Sequence, residues 1–136
     1  MITAVDTSVL LDVFGADPTF GPRSRKSVRS CLTEGHLIAC EVVWVEVASF
    51  FPSPAAAQDA MDRLGVAHSP IELKTALAAS QAWKVYRSRG GQRERVVADF
   101  LIGAHASSQA ERLLTRDRGF YRTYFSRLRV LDPSRV

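Results

Sequence analysis

Short apolar runs alternate with helix-length stretches along the whole chain, and this alternation restricts the fold more than any other feature. Ile2–Val5 is apolar and stops at Asp6, and residues 37–40, 112–115 and 128–131 are further runs of strand length. Between them lie segments with helix start and stop signals. Residues 9–14 read as a short helix, and 20–34 as a longer one stopped by Gly35. Residues 41–51 read as a strongly apolar helix ended by Pro52. Ser53 and Pro54 supply an N-cap and a first-turn proline for a helix over 55–64, which Gly65 closes. Ser69 and Glu72 have the spacing of a capping box, with Ser69 as N-cap of a long helix to about Ser88 that Gly90 and Gly91 break. A helix over 96–109 and a turn with a short helix over 119–125 complete the pattern. Strands too short to stand alone, separated by helices, predict a parallel sheet covered on both faces: a three-layer α/β/α fold, here as a single domain over residues 1–136.

The composition excludes several classes. Hydrophobic residues make up 46% and charged residues 24%, the balance of an ordinary globular chain. No run approaches the roughly 18 apolar residues that cross a membrane. The N-terminus has no basic segment, and Asp6 and Asp12 interrupt its apolar stretch, so a cytoplasmic location is expected. Cys31 and Cys40 read as reduced, small hydrophobic residues. His36, His68 and His105 share no ligand spacing with each other or with the cysteines, and no phosphate-binding glycine loop or nucleophile elbow is present.

The chemistry concentrates in four acids. Glu46 is the one charge in Val42-Val43-Trp44-Val45-Glu46-Val47-Ala48-Ser49-Phe50-Phe51, and its helical neighbours are Val42, Val43, Ser49 and Phe50. It is expected to face inward at least in part, where an acid requires a partner or a metal. Asp6 follows the first strand and Asp117 follows Leu113-Leu114-Thr115, so both fall beyond the carboxyl ends of strands, where open parallel sheets bind ligands. Thr115 shares a face with Asp117 in extended chain, and Ser8 is placed to hydrogen-bond Asp6 or to cap the next helix. Asp99 lies near the start of an apolar helix whose Ala98, Gly103 and Ala104 suit close packing on the sheet. Acids gathered in one pocket repel unless a cation neutralises them. Hard oxygen ligands of this kind suit Mg²⁺ or Mn²⁺, which activate water for attack on phosphorus.

The remaining charge fits a polyanionic substrate. The formal charge is +4, from 18 basic against 14 acidic residues, and setting aside the four acids leaves ten. A basic surface around an acidic pit attracts phosphates to its rim. Arginines cluster at Arg23, Arg25, Lys26 and Arg29, at Arg87, Arg89, Arg93 and Arg95, and at Arg116, Arg118 and Arg122. Arg116 and Arg118 flank Asp117 and are the candidates for phosphate contact. Trp44 reads as core; Trp83, Tyr86 and Phe120 read as core, dimer interface or base-stacking platforms.

Taken in order, Val5-Asp6-Thr7-Ser8-Val9-Leu10, Val42-Val43-Trp44-Val45-Glu46-Val47, Val97-Ala98-Asp99-Phe100-Leu101-Ile102-Gly103-Ala104 and Leu114-Thr115-Arg116-Asp117 resemble the PIN-domain family, in particular the VapC-type toxins of toxin–antitoxin pairs. Val130-Leu131-Asp132-Pro133 is similar to the family's closing strand and proline, so the resemblance spans nearly the whole chain. The family's four acids map onto Asp6, Glu46, Asp99 and Asp117 as catalytic and metal-binding residues, and its usual Asn after the first Asp is Ser8 here. The resemblance implies a PIN-like fold, dependence on Mg²⁺ or Mn²⁺, RNA as substrate, a homodimer, and inhibition by a small antitoxin that covers the active site. Two other readings remain open at this point: a PIN-like nuclease acting on DNA or on particular nucleic-acid structures, and a non-catalytic RNA-binding domain.

Overall fold

The computed structural model describes residues 1–91 and 95–135. Arg93 of the second basic cluster lies outside these residues. The elements follow in the order β1 (Ile2–Val5), α1 (Thr7–Phe14), α2 (Gly21–Glu34), β2 (His36–Ala39), α3 (Glu41–Ala48), α4 (Pro54–Leu64), β3 (Val66–His68), α5 (Leu73–Ser88), α6 (Val97–Gln109), β4 (Arg112–Leu114), α7 (Arg118–Tyr124) and β5 (Arg129–Leu131), with a 3₁₀ turn at Pro133–Arg135.

The strands form one five-stranded sheet in the order β3-β2-β1-β4-β5, and every pairing is parallel. β1 is central, with Ala4 opposite Ile38 of β2 and Leu113 of β4. Ala4, Val5, Leu37, Leu113 and Leu114 are buried, as strands covered on both faces must be, and this is why those runs read as continuously apolar. Leaving β1, the chain steps outward through β2 to β3, then returns across the sheet to β4 and β5. Right-handed crossovers therefore place α1–α4 over one face and α5–α7 over the other.

The second helical layer is built on aromatic rings. Phe100 of α6, fully buried, packs edge-on against Trp83 of α5 and against Phe120 and Tyr124 of α7, and Tyr86 closes the group. Trp83, Tyr86 and Phe120 are thus core or partly core. Close approach also fixes Gly103 of α6: a Cβ there would lie 2.3 Å from the Phe125 ring. The small residues of this helix make room for a neighbouring ring from the far end of α7.

Three sequence expectations change. β3 has no counterpart in the predicted pattern, because it has three residues, sits at the sheet edge and buries only Val66. The capping box does not form. The Ser69 hydroxyl bonds His105 Nε2 at 2.9 Å, and α5 begins at Leu73 with Glu72 as its N-cap. The Gln109 carboxamide accepts from the Glu72 N–H and the Thr75 hydroxyl and donates to the Pro70 carbonyl, so side chains from the end of α6 complete this turn. The apolar helix over 41–51 stops at Ala48, and Ser49, Phe50 and Phe51 continue as turn. By contrast, Ser53 accepts from the Ala56 N–H and Gly65 takes φ 91°, as the cap signals around α4 require.

Candidate active site

The carboxyl ends of β1 and β4 lie side by side, and the polypeptide turns away from the sheet at both. The Asp6 N–H still donates to the Leu114 carbonyl at 2.9 Å, so Asp6 is locked in the ladder although it caps α1. Its Oδ1 accepts from the Thr7 N–H at 2.8 Å, and its Oδ2 accepts from the Thr115 hydroxyl at 2.7 Å and from the Tyr121 hydroxyl at 3.5 Å. Thr115 Oγ1 also accepts from the Asp117 N–H at 3.0 Å. One threonine thus ties the two strand-end acids together.

Burial, reinforced by Asp99 and Asp117, raises the Asp6 pKa from 3.8 to about 6, against the bonds from Thr115 and Thr7 that favour the ionised form. The same surroundings act on Tyr121. Burial, then Asp6, Asp99 and Asp117, push its phenol far above the usual range, so Tyr121 stays a proton donor facing Asp6. Perturbed groups gathered in a concave site mark functional positions.

The pocket has a volume of about 480 Å³, and Asp6, Ser8, Glu46, Asp99, Arg116 and Asp117 are among the residues that line it. The fold therefore brings the four predicted acids to one place. Glu46, however, is exposed: α3 turns Val43 and Val47 into the core, and Glu46 stands at the rim, accepting from the Thr7 hydroxyl at 2.7 Å. It is an acid of the pocket mouth and not the inward-facing one expected. Asp99 Oδ2 accepts from the Val96 N–H at 3.1 Å, closing the first turn of α6. Asp117 Oδ2 is paired with Arg95. Ser8 lines the pocket without bonding the Asp6 carboxylate; Thr7 takes that role and adds the link to Glu46.

The basic candidates divide. Arg116 grips Asp12 through two bonds, at 2.8 and 3.1 Å, and lies 4.0 Å over the Phe20 ring. Asp12 is buried and also accepts from the Ser24 hydroxyl, so Arg116 is primarily a clamp between α1, α2 and the β4 end. Arg118 is not among the residues that line the pocket, and the charges acting on it are those of Arg135, Arg122 and Asp132. Arg95 was in a basic cluster that gave no reason to connect it with Asp117. Tyr121 and Asp12 likewise carry no sequence sign of their roles. Thr7 adjoins Asp6, but a threonine opening a helix reads as a cap.

The donor set fits a hard divalent cation: carboxylate oxygens in a polar recess, with the pKa of Asp6 raised by burial and by like charges that a cation would offset. Among the described residues, no three acids, histidines or cysteines converge closely enough to surround an ion as they stand. Each acid is engaged elsewhere, with Asp6 on Thr7 and Thr115, Glu46 on Thr7, Asp99 on Val96 and Asp117 on Arg95. No helix of the described residues is long and apolar enough to cross a membrane.

Solved structures with this fold include the VapBC2 complex of Rickettsia felis bound to a promoter DNA fragment, at TM-score 0.75 and 15% identity, covering 97% of this chain and 98% of that one. VapBC-1 of nontypeable Haemophilus influenzae gives TM-score 0.74 at 17% identity, with 98% and 99% covered. Mycobacterium tuberculosis VapC20, described as a sarcin–ricin loop cleaving toxin, gives 0.58 at 19% identity, with 93% and 98% covered. No curated protein sequence matches the chain. The PIN-domain pattern matches residues 3–126, a span that holds both strand-end acids, Glu46, Asp99 and, but for Ile2, the first four of the five parallel strands. The chain belongs to the PIN-domain family.

Proposed function

We propose that the protein is a metal-dependent endoribonuclease and the toxin of a type II toxin–antitoxin pair. The observation that carries this reading is the convergence of Asp6, Glu46, Asp99 and Asp117 on one recess at the carboxyl ends of β1 and β4. These four would hold Mg²⁺ or Mn²⁺. A bound cation of this kind supplies a water activated for attack on phosphorus and neutralises charge on the phosphate.

The chain's own groups prepare the site. Thr115 and the Thr7 N–H hold both oxygens of Asp6 in place and favour its ionised form against burial. Tyr121 keeps its proton and presents it to Asp6, so α7 fixes the orientation of that carboxylate. Thr7 places Glu46 at the mouth, where RNA would enter. The excess of basic residues outside the recess favours a polyanion at its rim.

A small antitoxin is the proposed partner. The named VapBC relatives are complexes of this fold. Such a partner would neutralise the acid pit with an arginine or another cation, and its binding would weaken with salt. A homodimer is proposed as well. Leu73, Leu77 and Val85 leave apolar surface exposed along α5, on the side of the molecule opposite α1–α4.

Purified protein incubated with RNA and with single-stranded DNA, with Mg²⁺ or with EDTA, tests the reading. RNA cut only with metal, and not by Asp6→Asn, supports it. DNA cut in preference would make the protein a DNA nuclease of the same fold. RNA bound but uncut in the presence of Mg²⁺ would leave a binding domain.

A further inference from the structure

Among the described residues, Asp117 is the one acid of the pocket held by a cation. Arg95 donates to its Oδ2 from the segment just before α6. The Arg95 guanidinium lies 4.2 Å over the ring of Phe120, itself buried against Phe100 and Tyr121, so the fork has a fixed platform beneath it while it holds Asp117. It also feels the charge of Asp99. The Asp117 carboxylate makes no cap bond to α7, and its backbone N–H is already taken by Thr115, so Arg95 is what orients this carboxylate. Arg116, which lines the pocket, is fastened to buried Asp12 by two bonds.

We propose that Arg95 is an exchangeable counter-ion for a pocket acid: it holds Asp117 while no divalent cation is bound, and turns to a substrate phosphate once Asp117 becomes a metal ligand. This rests on the four-carboxylate metal reading given above. The physical reasoning is competition. A single ion pair with both side chains about a third exposed is a weak interaction. A divalent cation surrounded by four acids attracts Asp117 more strongly than one guanidinium does. Arg95 released on its aromatic platform is then a free, planar donor next to the place where a phosphate must sit, a geometry suited to bidentate phosphate contact.

The test uses Arg95→Met, which keeps an unbranched stem over Phe120 and removes the charge; an unchanged melting temperature confirms that it folds. Mn²⁺ affinity is measured by titration calorimetry. Non-cleavable 2′-O-methyl RNA is then bound to wild type and variant over a salt series, once with Mn²⁺ and once with EDTA. Arg95→Met is expected to bind Mn²⁺ about fivefold more tightly (~1 kcal/mol). With Mn²⁺ present it should bind the RNA more weakly, with a salt slope shallower by about one phosphate contact. In EDTA the two proteins should bind RNA alike. Unchanged or weaker Mn²⁺ binding overturns the proposal, and so does an RNA defect of equal size in both buffers. If wild type binds Mn²⁺, Asp6→Asn does not, and Arg95→Met matches wild type throughout, the exchange fails while the metal site stands. A wild type that takes up no metal overturns both.

Discussion

Asp6 is the acid most altered by its surroundings, and its titration has a definite sign. Folding raises its pKa from 3.8 to about 6, so between those values the folded state holds more protons than the unfolded one. Its ionisation therefore costs stability, fully absent below about pH 4 and fully felt above about pH 6, on the order of 3 kcal/mol for a shift of this size. Asp6→Asn should make the metal-free protein more stable at pH 7 and flatten the dependence of its melting temperature on pH from 4 to 6, while abolishing activity. A variant as pH-sensitive as wild type over that range would contradict the electrostatic account of the pocket. Arg116 makes the opposite point. Because it satisfies buried Asp12, Arg116→Met should destabilise the fold by about 2 kcal/mol, a buried-pair loss discounted for the arginine's partial exposure. Arg118→Ala should leave both stability and RNA affinity near wild type. Equilibrium urea unfolding of the two variants separates the roles. Position beyond a strand end made Asp6 and Asp117 legible in the sequence, but Arg116 and Arg118, which flank Asp117, looked alike there and Arg95 looked unrelated, and only the fold distinguishes a clamp, a surface charge and a counter-ion.

Elements with local chemical signals were legible, and those defined by distant partners were not. α4 is bounded by Ser53, Pro54 and Gly65, each acting within its own turn, and its limits follow from the sequence. The start of α5 depends on Gln109, Glu41 and His105, residues remote in sequence, and the local capping pattern at Ser69 gives way to them. β3 exists because β2 offers it an edge, which no three-residue segment announces. The inward turn expected of Glu46 failed for a related reason. An apolar helix of this length, lying near the surface, leaves Val45 exposed as well, and Phe50 in the turn after it, so an apolar neighbourhood in sequence did not mean burial. Packing between α6 and α7 yields its own prediction. Gly103→Ala would bring a methyl group to 2.3 Å from the Phe125 ring, and displacement of that ring should cost about 1–3 kcal/mol in urea unfolding. Since Asp99 sits in the first turn of the same helix and Asp117 directly precedes α7, activity should fall with it. Wild-type stability in Gly103→Ala would show that the two helices have slack.

At the scale of the molecule, the parallel sheet does the gathering. Acids separated by the length of the chain meet because β1 and β4 are neighbours with their carboxyl ends together, and α3 and α6 border that end from opposite layers. The alternation of short strands and helices made this sheet legible, and with it the expectation that the acids converge. What sequence could not supply is the state of the acids, each engaged by a threonine, a backbone amide or an arginine of the protein itself. The central claim is that these four carboxylates form one metal-dependent catalytic site for RNA. It is tested most directly by cleavage of a labelled RNA by wild type and by Asp99→Asn, each folded and at equal concentration, over a titration of Mg²⁺ with an EDTA control. The account predicts that wild type cuts only as Mg²⁺ is added, and that Asp99→Asn stays at background at every concentration. Cleavage by wild type in EDTA, or full cleavage by Asp99→Asn, would contradict it.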